Sequence, residues 1–152
     1  IERLEDAVGT DQLTGLPNRH SYQQMMREMD TEENLPLSIL MGDVNGLKIA
    51  NDTFGHKQGD AMLRIIARTL QKNCPPNGYV ARIGGDEFIM ILPQYSQQQA
   101  AKLIGQIDEQ LAQITEYEFT PSIAMGSATK MLPEENLNLL INEADTAMYQ
   151  KK

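Results

Sequence analysis

The chain has 152 residues, 41% of them hydrophobic and 22% charged, enough for one domain with a real core and far from a disordered composition. A net charge of -8 argues against broad binding to a nucleic-acid backbone, which calls for a basic excess that displaces counterions. The single cysteine, Cys74, excludes an intrachain disulfide and suits a reducing cytoplasmic compartment.

No apolar run approaches the roughly 18 residues of a membrane span. Ile1 is an unusual natural start, so the sequence reads as a piece of a longer protein whose remainder carries an upstream sensory or membrane domain. Residues 1–10, with Ile1, Leu4 and Val8 at helical spacing, are expected to end a linker helix. Residues 11–152 form the domain proper.

Asn18 is placed to cap a helix running to about Asp30, with Tyr22, Met25, Met26 and Met29 inward. Leu37 to Val44 is a short apolar run after Pro36 and reads as a buried strand carrying Asp43 near its end. The polar stretch after it is expected to be a loop leading into a helix from about His56 to Asn73, with Met62, Ile65, Ile66, Thr69 and Leu70 on one side. Tyr79 to Ile83 and Phe88 to Leu92 flank Gly84-Gly85, the pattern of a hairpin. A helix over about Ser96 to Glu116, with Leu103, Ile107, Leu111 and Ile114 inward, precedes a strand over about Thr120 to Thr129. A last helix runs from about Glu135 to the end. The order strand, helix, strand, strand, helix, strand predicts an α+β fold of split βαβ type: an antiparallel sheet with helices on one face. In that topology the end of the Asp43 strand meets the Gly84-Gly85 turn.

Taken singly, Asp43 reads equally well as a solvated carboxylate where a strand leaves the core, and Asp86 and Glu87 as polar residues at a hairpin tip. Together they are hard oxygen ligands converging on one edge, which suits Mg²⁺ completed by substrate phosphates. Gly84 and Gly85 let a ligand approach the backbone closely. Asn51 and Asp60 offer an amide and a carboxylate matched to a guanine edge, with helix capping and a surface carboxylate as the plain alternative.

Gly84-Gly85-Asp86-Glu87-Phe88 is the signature of GGDEF domains. Asp11-Gln12-Leu13-Thr14-Gly15-Leu16-Pro17-Asn18-Arg19, the segment from Asp43 to Asp60, and Ala144-Asp145-Thr146-Ala147-Met148-Tyr149 match further family motifs in order. The chain therefore resembles the catalytic domain of a diguanylate cyclase, a palm-like nucleotidyl cyclase fold that joins two GTP molecules into cyclic di-GMP. The resemblance implies Mg²⁺, with Mn²⁺ as a substitute, held by Asp43, the Val44 carbonyl, Asp86 and Glu87. It further implies Asp86 or Glu87 as the base and Lys48 as the stabiliser of transition-state charge. Phosphates would be met by the amides of Gly46 and Leu47, by Gly84 and by Lys152. Guanine would be read by Asn51, His56 and Asp60, and catalysis would need a homodimer. Asn45 stands where a second aspartate is common. Pro75-Pro76-Asn77-Gly78 stands where the family's Arg-x-x-Asp product-inhibition site would lie. A module that binds GTP or cyclic di-GMP without turnover is the competing expectation.

Overall fold

The computed structural model describes residues 9–152; the expected linker helix at Ile1 to Val8 lies outside them. Asn18 does cap the first helix, α1 (Arg19–Met29), its side chain accepting the Ser21 amide. Four strands follow in chain order: β1 (Leu37–Val44), β2 (Tyr79–Arg82), β3 (Glu87–Leu92) and β4 (Ile123–Lys130). They form one sheet in the order β2-β3-β1-β4, and every neighbouring pair is antiparallel. β1 is thus central, which explains its almost unbroken apolar run: both of its faces are buried.

Alternation along the strands splits the interior into two cores. Leu40, Val44, Phe88, Met90, Leu92, Ile123 and Met125 face one side. There they pack under α3 (His56–Asn73) and α4 (Gln97–Ala112). Leu37, Ile39, Met41, Ala81, Ile89, Ile91, Ala124 and Ala128 face the other, covered by α1 and α5 (Leu137–Gln150). The two helices of the split βαβ unit, α3 and α4, do share one face as expected. Strands buried on both faces need two covering layers, and the first and last helices supply the second.

Other differences have local causes. The stretch read as a loop contains α2 (Leu47–Phe54), bracketed by Gly46 and Gly55 at φ 70° and 92°. Asn51, Asp52 and Thr53 are poor helix formers, and Ala50 is its single buried residue, so periodicity left little trace. α4 opens with a capping box between Ser96 and Gln99 but ends at Ala112; Ile114 still packs on the core from a tight turn onto the Leu111 carbonyl. α5 starts after Asn136, which caps it, because the Glu135 carboxylate is taken up by the Met131 and Leu132 amides. β4 begins at Ile123 rather than near Thr120.

Gly126 on β4 is where α5 lies closest. A Cβ there would collide with backbone atoms of Ala144, Ala147 and Met148, and backbone cannot swing aside as a side chain can. Gly126→Ala is expected to destabilise the domain by about 1–3 kcal/mol or more, read as a lowered urea midpoint. An unchanged midpoint would mean that α5 does not pack as described.

Candidate active site

The register of β1 and β3 places Asp43 directly opposite Glu87. The Val44 amide donates to the Asp86 carbonyl at 2.8 Å. Strand pairing therefore carries the end of β1 into the turn of residues 83–86, and the Asp86 carboxyl comes within hydrogen-bonding reach of Asp43. Burial, then this contact and the Asp43 charge, hold the Asp86 carboxyl above its ordinary range, only partly opposed by its own amide and by Lys152. Glu87 is raised as well, by burial first and then by Asp86, Asp43 and Asp145, against Arg19. Acidic groups of β1, β3, the turn and α5 thus converge at one end of the sheet.

Asp43 Oδ1 is buried and accepts no well-aligned hydrogen bond. Its neighbour is the Lys152 ammonium, 3.0 Å away as an ion pair. An acceptor oxygen in that state, beside a second carboxylate, suits a cation. Among the described residues no group of three or more His, Cys, Asp and Glu side chains is arranged to hold a metal ion. The donor set fits Mg²⁺ bound by a carboxylate pair and completed by phosphate oxygens, and does not fit an all-protein cage.

Neither glycine of the signature has positive φ, so the connection is not the two-residue primed turn that Gly-Gly suggests. A Cβ at Gly84 would lie 2.5 Å from Glu87 Oε1, the end of a flexible side chain that can move aside, whereas the Cβ position at Gly85 is open space. Beyond Asp43, Gly46 is left-handed and caps α2 with no side-chain bond, and nothing lies within 4 Å of its Cβ position. The first amides of a helix have no partner within it, so this end is open to phosphate oxygens.

The guanine candidates divide. Asn51 lies against Gly59, where a Cβ would overlap its carboxamide, and Asn51 Oδ1 is buried without a partner. Asp60, next in the chain, is half-buried. His56 and Lys48 are exposed and are not drawn into the carboxylate cluster. Lys152, expected at phosphate, sits on Asp43 instead.

Sequence reasoning gave Asp11, Arg19, Arg82 and Asp145 no role. Arg19 Nη1 donates to the Ile83 carbonyl, Arg82 bridges Asp11 and Gly85, and Asp145 brings a further negative charge to Glu87. The motif stretches containing Asp11, Arg19 and Asp145 were visible in the sequence, but which strand end each would meet was not.

The family model for the diguanylate cyclase GGDEF domain matches residues 8–152. The chain belongs to the GGDEF domain family. It is 31% identical over 147 residues to the diguanylate cyclase DgcZ of Escherichia coli, covering 93% of this chain and 49% of that protein. It is 30% identical over 155 residues to the cyclic di-GMP phosphodiesterase PdeR of the same organism, covering 99% and 23%. Among solved structures, the coiled coil and GGDEF domain of DgcB from Caulobacter crescentus, in complex with cyclic di-GMP, superposes with a TM-score of 0.87. That pair is 25% identical, over 97% of this chain and 82% of that one. These likenesses place the GGDEF domain in cyclic di-GMP signalling. It spans 19% of YkoW from Bacillus subtilis and 18% of PdeB from Shewanella oneidensis, so these curated relatives are several times longer. No helix among the described residues is long and apolar enough to cross a membrane.

The raised carboxyls of Asp86 and Glu87 make a signed prediction. Their folded-state values lie above the ordinary 3.8 and 4.5, so the ionised forms oppose folding. The penalty is absent below the unfolded value and complete once pH has risen past the folded one. In metal-free protein, Asp86→Asn is expected to raise the urea midpoint at pH 7, with the gain vanishing below about pH 3. A lower midpoint at pH 7 would show that Asp43 and Asp86 do not repel.

Proposed function

We propose that the domain is a diguanylate cyclase that condenses two GTP into cyclic di-GMP and releases two pyrophosphates. The observation that carries this reading is the placement of Asp43 beside Asp86, where the buried Asp43 Oδ1 has only the Lys152 ammonium for a partner, a position suited to a divalent cation. Mg²⁺, or Mn²⁺ in its place, would neutralise charge building on the α-phosphate as the ribose 3'-oxygen attacks and pyrophosphate leaves. Asp43, Asp86 and the Val44 carbonyl would hold it, with Glu87 beside them.

This chain's own residues do the rest. Asp86 and Glu87, with carboxyls held above their ordinary range, are suited to accept the 3'-hydroxyl proton. Gly84 leaves room for phosphate at the turn. The open amides at Gly46 and Leu47 and the Lys48 ammonium meet the phosphate oxygens. Lys152, paired with Asp43 at 3.0 Å, would be released to meet the triphosphate with a cation held by that carboxylate. Asn51 and Asp60, with His56 at the rim, read the guanine edge. Each site binds one GTP, and each 3'-oxygen must attack the other nucleotide. Two copies facing one another therefore form the working enzyme.

Asp43→Ala and Asp86→Ala are expected to lower the rate of cyclic di-GMP formation by at least about 10²-fold while circular dichroism stays unchanged. Full activity in both would sink the metal assignment. Gly59→Ala should push Asn51 aside and raise KM for GTP about two- to tenfold, the worth of one neutral hydrogen bond, with kcat less affected. Because Pro75 to Gly78 lack the charges of an Arg-x-x-Asp site, added cyclic di-GMP should leave initial rates nearly flat. Inhibition well below substrate levels would reveal another product site.

A second reading is a module that binds GTP or cyclic di-GMP without turnover. Its support is that relatives of nearly equal similarity carry phosphodiesterase names. It predicts nucleotide binding and no product, even when the domain is fused to a dimeriser.

A further inference from the structure

The Asp11 to Arg19 segment has no part in the proposed chemistry, yet it reaches the signature turn directly. Arg82, the last residue of β2, donates from Nε and Nη2 to the Gly85 carbonyl at 3.2 and 2.7 Å. Its Nη1 faces both carboxylate oxygens of Asp11 at 3.1 and 3.2 Å. Asp11 is itself fixed: Oδ2 accepts the Thr14 amide at 3.0 Å and the Thr14 hydroxyl at 2.6 Å. The Arg82 amide donates to the Pro17 carbonyl, and Arg19 holds the Ile83 carbonyl. The guanidinium is a planar fork, so one residue serves the carboxylate on one side and the carbonyl on the other.

We infer that Arg82, oriented by Asp11, is a positioning residue that holds the Asp86 carboxylate against Asp43. This rests on the cyclase reading for its catalytic consequence and on geometry alone for its structural one. The peptide groups on either side of the Asp86 Cα are both held: Arg82 donates to the Gly85 carbonyl, and the Val44 amide donates to that of Asp86. The direction of the Asp86 side chain follows from these two planes. Side-chain packing cannot replace the clamp, since nothing lies within 4 Å of the Cβ position at Gly85. A restraint is needed, because the Asp43 charge pushes on Asp86 and would open an untethered turn.

Arg82→Ala, Arg82→Lys and Asp11→Asn test this in the whole chain. Amide exchange is followed at Val44 and Ile83, which bond the carbonyls of Asp86 and Glu87, and at Leu40 and Met41 within β1 as controls. Binding of Mn²⁺ alone and turnover of GTP are measured alongside. Arg82→Ala is expected to speed exchange at Val44 and Ile83 about tenfold while the controls hold. Mn²⁺ binding should weaken severalfold, and kcat should fall at least about tenfold with KM for GTP within about twofold. Arg82→Lys, whose single ammonium cannot serve both partners, should fall between Arg82→Ala and wild type, and Asp11→Asn should share the direction. Wild-type exchange at Val44 in both Arg82 variants overturns the inference. So does a rise that spreads equally to the controls, which marks general loosening. If the unaltered chain makes no cyclic di-GMP, the cyclase reading fails, while exchange still decides the clamp.

Discussion

Two like charges set the terms of this molecule. Asp43 lies one residue before the end of the central strand and Asp86 in the turn beside it, brought together by the pairing of β1 with β3. The backbone works against their repulsion: Val44 holds the Asp86 carbonyl, Arg82 holds Gly85 and Arg19 holds Ile83. The unfavourable field is relieved in part by the Lys152 ammonium. A site built at electrostatic cost, with an ammonium on one of its carboxylates, would have its affinity for the proposed dication prepared in advance, since the reorganisation has already been met by folding.

The two cores explain why the site lies where it does. Asp43 and Glu87 fall on the strand positions that face α1 and α5, whereas α2 and α3 belong to the opposite core. The chain crosses from one face to the other as it leaves β1, and the open amides at Gly46 lie at that crossing. A nucleotide with its phosphates beside Asp43 and its base near Asn51 would span the end of the sheet. The covering helix that sequence alone did not anticipate on the second face, α5, is the one that brings Asp145 and Lys152 to the carboxylates.

Much of this was legible before any coordinates. The β1 run, the Asn18 cap and the strand order follow from apolar periodicity and polar punctuation, and the order alone predicted that Asp43 and the glycine turn would meet. What escaped was of two kinds. α2 is too short and too polar for its period to register, and it is defined instead by two glycines of positive φ. Arg82 and Asp11 meet across 71 residues of sequence separation, and neither patterning nor propensity carries pairwise information of that kind. The glycines of the turn were found as the sign of a hairpin, and they do lie between β2 and β3, though without the positive φ of a primed turn.

Asn45 shows how the charge of the cluster is limited. Where relatives commonly place a second aspartate, its Nδ2 donates to Ser122 Oγ at 3.0 Å and its amide to the Ser122 carbonyl at 3.0 Å. The residue thus ties the exit of β1 to the segment entering β4. A carboxylate there would lose the side-chain donor and add another negative charge near Asp43, which already has Asp86 and Glu87 for neighbours. With an amide, the strand end stays braced and the pair of carboxylates keeps its cation-sized charge. The departure from the common pattern therefore falls on bracing and leaves Asp43 and Asp86 where the backbone puts them.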